Sequence, residues 1–342
     1  MKRCLALILV FGQVFLGQTF SFTAYAAPAV PITAASALLL NGQGNTAYFS
    51  KTPHIKRAPA STTKILTAIV AVNHLDLDRV ITIPAFVTSI EPSKIHLRPG
   101  ERYYVRDLIK ATLINSANDA AETLAYVAGG GSRARFANMM NAKVRAIGGK
   151  HSKFVRASGL PAANQYSTAY DMALVMREAQ RYPFIVNALA TRTTVIKSLS
   201  GRRIGLRNHN KMLWKNSRVV GKTGWTRSAR HCFVGVIRTS SGSAFVSMLG
   251  SRALWKDLAR LVDYQFGLSY KSAKTTQKVW SNRDKNKKIQ VALKKAGYYR
   301  GIVDGQIGPQ TRRAVKKFQK AHKLPQTGNV GPLTTAKLQP YL

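Results

Sequence analysis

Ser61 and Lys64, in the run Pro59-Ala60-Ser61-Thr62-Thr63-Lys64, stand three residues apart. On a helix that spacing puts a hydroxyl and an amine on one face, a turn from each other. A serine hydroxyl is a poor nucleophile until a base takes its proton, and a partly neutral lysine is such a base. The segment that follows, Ile65–Leu75, is apolar nearly all round, as a helix inside a core is. Burial lowers a lysine pKa. Bringing it from about 10.4 towards about 7 takes roughly 4–5 kcal/mol of preference for the neutral amine. The same spacing also occurs where a serine caps a core helix and the lysine reaches to water, so the pair alone assigns nothing. Two more segments sharpen it. Ser116-Ala117-Asn118 and Lys222-Thr223-Gly224 follow in that order, and each of the three motifs occurs once in the chain.

In this order the motifs resemble those of the serine-type D-alanyl-D-alanine carboxypeptidases, the low-molecular-weight penicillin-binding proteins. Ile95-His96-Leu97-Arg98-Pro99-Gly100-Glu101, Ser158-Gly159-Leu160 and Ser167-Thr168-Ala169-Tyr170-Asp171-Met172-Ala173 are similar to further segments of that family, over roughly residues 30–268. The resemblance implies hydrolysis of the terminal D-Ala-D-Ala bond of peptidoglycan stem peptides through a seryl acyl-enzyme, with β-lactams as covalent inhibitors. It implies Ser61 as nucleophile, Lys64 as its base, and Ser116 passing a proton towards the leaving amine. Asn118 would hold Lys64 and the substrate amide. Lys222, whose charge also disfavours protonation of Lys64, and Thr223 would meet the terminal carboxylate of the substrate. Gly224 would let its backbone approach. The oxyanion hole would use the backbone N–H groups of Ser61 and Trp225, donors worth about 3–4 kcal/mol each.

The chain departs from the family at Ala117, where glycine is usual, and at Arg230-His231, where small residues are. A D,D-endopeptidase shares all three motifs and stays open, as does a non-catalytic wall-binding protein. A class A β-lactamase fits less well, since Ala117 stands where an acidic residue belongs and no Glu-x-x-Leu-Asn loop is present.

The chain has 342 residues, 45% of them apolar, enough for one large core and a second small domain. Lys2-Arg3, an apolar run from Cys4 to Leu16, and Ala24-Tyr25-Ala26 read as a signal peptide cleaved after Ala26. The apolar run is shorter than the roughly 20 residues of a spanning helix, so no membrane anchor is expected. The destination is the periplasm or the cell wall. Only Cys232 then remains, inside an apolar strand-like run, which reads as a buried thiol. No Cys/His cluster has metal-ligand spacing, so no metal and no cofactor is expected. With 53 Lys+Arg against 13 Asp+Glu the net charge is +40. Basic residues spread along an exported chain suit an anionic envelope better than nucleic acid.

Apolar patterning predicts an α+β fold, with strands from both ends of the domain forming an antiparallel sheet and an inserted helical lobe between them. A hairpin spans Ser36–Phe49 and a short strand Val80–Ile83. Helices cover Val105–Ile114, Asp119–Ala128, Arg133–Ile147 and Thr168–Arg181. From Thr193 to Leu249 the texture is of strands, with a turn at Ser240–Ser243 and a closing helix Leu254–Phe266. This makes residues 27–268 the catalytic domain. Residues 269–283 form a basic linker. In residues 284–342 a loop-then-helix pattern, Asp304–Thr311, returns at Thr327–Thr334. That unit resembles the small three-helix peptidoglycan-binding module. From residue 269 on there are 17 Lys+Arg against 2 acids, suited to docking on an anionic mesh.

Overall fold

A computed structural model of the chain describes residues 30–239, 242–265, 282–322, 324, 326–330 and 332–342. The expected signal peptide, the tip of the Ser240–Ser243 turn and most of the expected linker lie outside the described residues.

The chain begins with the hairpin β1 (Ser36–Asn41) and β2 (Ala47–Lys51). A 3-10 turn, Ala60–Thr63, leads into α1 (Lys64–His74). β3 (Val80–Thr82) pairs with β4 (Arg102–Tyr104) in a small antiparallel sheet. A helical lobe follows: α2 (Val105–Ile114), α3 (Asn118–Ala128), α4 (Arg133–Ala146), α5 (Ala169–Ala179) and α6 (Pro183–Ala190). β5 (Thr193–Lys197) and β6 (Arg203–Arg207) form their own hairpin, then α7 (Lys211–Lys215). β7 (Val219–Thr226), β8 (Arg230–Thr239) and β9 (Gly242–Ser251) complete the main sheet, and α8 (Leu254–Gln265) closes the domain.

The main sheet is antiparallel in the order β2-β1-β9-β8-β7, so the first strands and the last lie side by side. β1 is buried on both faces and therefore reads as a continuous apolar run. Leu38 and Leu40 face the core shared with α1 and α5. Ala37 and Leu39 face the core built on Leu254, Leu258 and Leu261 of α8. α1 is enclosed by α2, α3, α4, α5 and α6, which is why it is apolar nearly all round.

Three elements differ from the sequence reading. Pro183, read as the stop after α5, is also the first residue of α6, where its missing N–H costs nothing. α7 is set by Asn210, whose side chain accepts from Met212 N and Leu213 N. β7 runs on through Gly224 to Thr226, further than the Arg218–Val220 and Lys222 that read as strand.

The C-terminal unit comprises α9 (Asn282–Lys295), α10 (Pro309–Ala321) and α11 (Pro332–Leu338) around Leu293, Val315, Phe318 and Leu338. Its two loops are clasped alike by buried glutamines. Gln290 accepts from Gly305 N at 2.8 Å and donates to Gln306 O at 3.1 Å. Gln319 accepts from Gly328 N at 2.9 Å and donates to Asn329 O at 2.8 Å. The repeated sequence pattern is thus a repeated hydrogen-bond clasp. Among the described residues no helix is long and apolar enough to cross a membrane.

Candidate active site

Ser61 sits in the 3-10 turn and Lys64 opens α1, so the expectation that both lie on one α-helix is corrected at Ser61. Side chains three apart nearly eclipse in a 3-10 turn, and the pair still meets. Two glycines hold this turn in place. A Cβ on Gly224 of β7 would stand 2.9 Å from Ser61 N, so the strand and the Ser61 turn touch only because residue 224 has none. Gly159, at φ +75°, has Ala60 O where its Cβ would be, at 2.0 Å. Ala60 itself is left-handed at φ +48°, and so is Ser116 at φ +61°. Backbone of that kind costs of order 1–3 kcal/mol per residue and persists where the surroundings impose it.

Lys64 is wholly buried and its amine has three neighbours. They are Ser61 Oγ at 2.9 Å, Asn118 Oδ1 at 2.7 Å and Ser158 O at 2.6 Å. Two of these are carbonyl oxygens, which only accept. A neutral amine therefore spends both N–H groups on Asn118 and Ser158 and turns its lone pair to the Ser61 hydroxyl. Burial, and then the nearby Lys222, hold the Lys64 pKa well below its usual value. Glu122 and Asp119 pull it back up. The Ser158 carbonyl is fixed from behind, because Ser158 N donates to the buried Glu122 carboxylate at 2.9 Å. Asn118 is fixed by its Nδ2 donating to Glu91 O at 2.9 Å.

Lys222, also buried, donates to Ser116 Oγ and to Thr223 O, each at 3.0 Å. Burial brings its pKa down to about 7. This qualifies the sequence reading, in which Lys222 is always charged. A cleft of about 950 Å³ opens above the two lysines. Ser61, Ser116, Asn118, Thr223, Gly224 and Trp225 line it, with Lys64 and Lys222 beneath. All eight residues singled out in the sequence therefore belong to one site. Trp225 is 60% exposed at the rim, its ring 6.3 Å from that of His231 on the paired strand. Among the described residues no group of His, Cys, Asp or Glu could hold a metal ion.

The chain is similar to known proteins over most of its length. The family described as D-alanyl-D-alanine carboxypeptidase matches residues 22–251. The chain belongs to that family. A peptidoglycan binding domain matches residues 282–338. A D-alanyl-D-alanine carboxypeptidase of Bacillus subtilis is 28% identical over 311 residues, covering 85% of this chain and 79% of that protein. A D-alanyl-D-alanine endopeptidase of Pseudomonas aeruginosa is 30% identical over 259 residues, covering 72% and 82%. The crystal structure of a D-alanyl-D-alanine carboxypeptidase from Mycobacterium tuberculosis superposes with a TM-score of 0.66 at 28% identity, over 71% of this chain and 96% of that one.

Within this carboxypeptidase, sequence reasoning overlooked several contributors. Ser158 and Glu91 act through main-chain carbonyls, which any residue type supplies, so Ser158 stood out only as part of a family-like segment and Glu91 not at all. His209 lines the cleft. Burial, Lys222 and Lys64 lower its pKa to about 4, so the ring is neutral. Flanked by Asn208 and Asn210, it reads in the sequence as loop. Ala117, in place of the usual glycine, is fully buried.

Proposed function

We propose that Ser61 attacks the carbonyl of the penultimate D-alanine of a stem peptide while its proton passes to the lone pair of Lys64. A C–O bond forms, the C–N bond breaks, and the leaving D-alanine takes a proton by way of Ser116. Water then attacks the ester, its proton goes to Lys64, and the Ser61 hydroxyl is restored. Lys222 and Thr223 receive the terminal carboxylate, and the backbone N–H groups of Ser61 and Trp225 receive the developing oxyanion. The observation that carries this reading is the amine of Lys64, held by two carbonyls and presented to Ser61.

β-Lactams acylate the same hydroxyl in this reading. The protein is exported after cleavage behind Ala26, and its C-terminal unit holds it to the wall polymer. Similarity to an endopeptidase keeps cross-link cleavage as a second reading. The test uses labelled penicillin, a pentapeptide ending in D-Ala-D-Ala, and a cross-linked dimer. Stable label and D-alanine release, both abolished in Ser61→Ala, are expected. Cleavage of the dimer alone would establish the endopeptidase instead, and label or release surviving in Ser61→Ala would remove Ser61 from the chemistry.

A further inference from the structure

A second cavity, of about 660 Å³, adjoins the catalytic cleft and has no part in the chemistry above. The turn between β7 and β8 separates them. Trp225, Thr226, Arg227 and His231 line the cleft, whereas Ser228, Ala229 and Arg230 line the second cavity. Five cations surround it, Lys51, Lys56, Arg57, Arg230 and Arg252, with no carboxylate in its lining. Among the described residues none of the five makes an ion pair. Lys51 donates to Ile32 O at 3.0 Å, and Lys56 lies 4.6 Å from the Tyr166 ring centroid.

On a chain of charge +40 basic residues alone single out nothing. The frame beneath them does. Asp257, fully buried, accepts from Thr33 N at 2.9 Å, and from Thr33 Oγ1 and Ser251 Oγ at 2.7 Å each. Thr33 Oγ1 in turn accepts from Arg252 N and Ala253 N, each at 3.0 Å. The main chain of Arg57 is tied to Ser167 by two bonds of 2.8 Å. Arg230 is held left-handed at φ +58°, a conformation that disfavours residues with a side chain. These contacts fix where Arg57, Arg230 and Arg252 start, while Lys51 and Lys56 rest on Ile32 O and the Tyr166 ring at the cavity edge.

We infer that this cavity takes the free carboxylates of a second stem peptide, on the same wall polymer as the one in the cleft. The inference rests on the proposed function. Guanidinium groups pair with carboxylates through two parallel hydrogen bonds. Five cations without acids call for a ligand bearing several negative groups. One turn of chain separates the two cavities, so a ligand that fills both is polymeric. Engaging two sites at once makes the second contact intramolecular and raises affinity for the polymer without changing the chemistry.

The test compares the wild type with Arg57→Gln/Arg252→Gln on the soluble pentapeptide and on solubilised, uncross-linked wall strands. The double variant should keep its pentapeptide kcat/KM within about twofold and lose about tenfold or more on strands, in line with the gain expected of a second tethered contact. Wild-type enzyme should lose a comparable factor on strands whose carboxylates are amidated. Arg135→Gln/Arg145→Gln on α4 removes the same charge elsewhere and should leave both rates nearly unchanged. Equal losses in the two double variants, no loss on strands, or inhibition by inorganic pyrophosphate but not by amidation would each overturn the inference. If the wild type released no D-alanine from the pentapeptide, the proposed function would fail instead. Titration of a stem tripeptide with free carboxylates would still decide the site, by moving the amide resonances of Thr33 and Arg252 or leaving them still.

Discussion

Lys64 and Lys222 share one buried environment, and in the proposed mechanism they need opposite protonation states. Lys64 accepts a proton only when neutral, so acylation rises as pH increases through its lowered pKa. Lys222 meets a carboxylate only when charged, and burial sets its pKa at about 7. Above that, kcat/KM for a D-Ala-D-Ala peptide should fall by about tenfold per pH unit as the ammonium is lost. Lys222→Arg keeps its charge throughout and should remove this falling limb. An unchanged limb in a pH profile of that variant would assign it to another group. Glu122 acts from behind. Its negative charge raises the Lys64 pKa, so Glu122→Gln should shift the rising limb to lower pH. Gln can still accept from Ser158 N, so a loss of thermal stability with an unmoved limb would mean a structural role only. Lys64→Met, which lacks the base, should cost about 10²–10⁴ in acylation rate, read as penicillin labelling. Cys232, whose pKa burial pushes up to about 12, should resist thiol reagents until the protein unfolds.

The elements that present these groups depend on close approaches more than on propensity. Gly159→Ala places a methyl against Ala60 O and forces a left-handed residue to carry a side chain. It should displace the nucleophile turn, cutting penicillin acylation by more than about tenfold and lowering stability by about 1–2 kcal/mol. Equal acylation in wild type and variant would show that the turn does not lean on residue 159. In the C-terminal unit, Gln290→Leu leaves Gly305 N without its acceptor, at a cost of about 1–3 kcal/mol. Faster exchange of the Gly305 amide would report it. These contacts mark where sequence reading stopped. The α+β architecture and the paired terminal strands were legible in apolar period, and the convergence of Ser61, Lys64, Ser116 and Lys222 was implied by the family resemblance that their motifs carry. The 3-10 turn at Ser61, the extension of β7 beyond Lys222 through Gly224, and the role of Pro183 as both stop and start were not. Each is decided by what packs against the backbone, as Gly224 is by Ser61 N.

Across the molecule the charge imbalance is sharper at the surface than in the composition. Of the 13 Asp and Glu, Asp107, Asp119, Glu122, Asp171, Glu178 and Asp257 are buried. Their neighbours are internal: Lys110 for Asp107, Lys143 for Glu178, Thr33 and Ser251 for Asp257. With 53 Lys and Arg against 13 acids, six of them buried, the outer field is positive over residues 30–265 as well as the C-terminal unit. Long-range attraction of this kind is screened over about 8 Å at physiological ionic strength, whereas a close-fitting contact with the polymer is not. The two contributions separate by salt. Full-length protein should sediment with purified wall at low salt and keep part of that binding at high salt. Protein truncated after residue 281 should bind only at low salt, while cleaving soluble pentapeptide as fast as the full chain. Salt-resistant binding by the truncated chain would place the specific contact in the catalytic domain, and complete loss of binding by the full chain at high salt would leave charge as its sole cause.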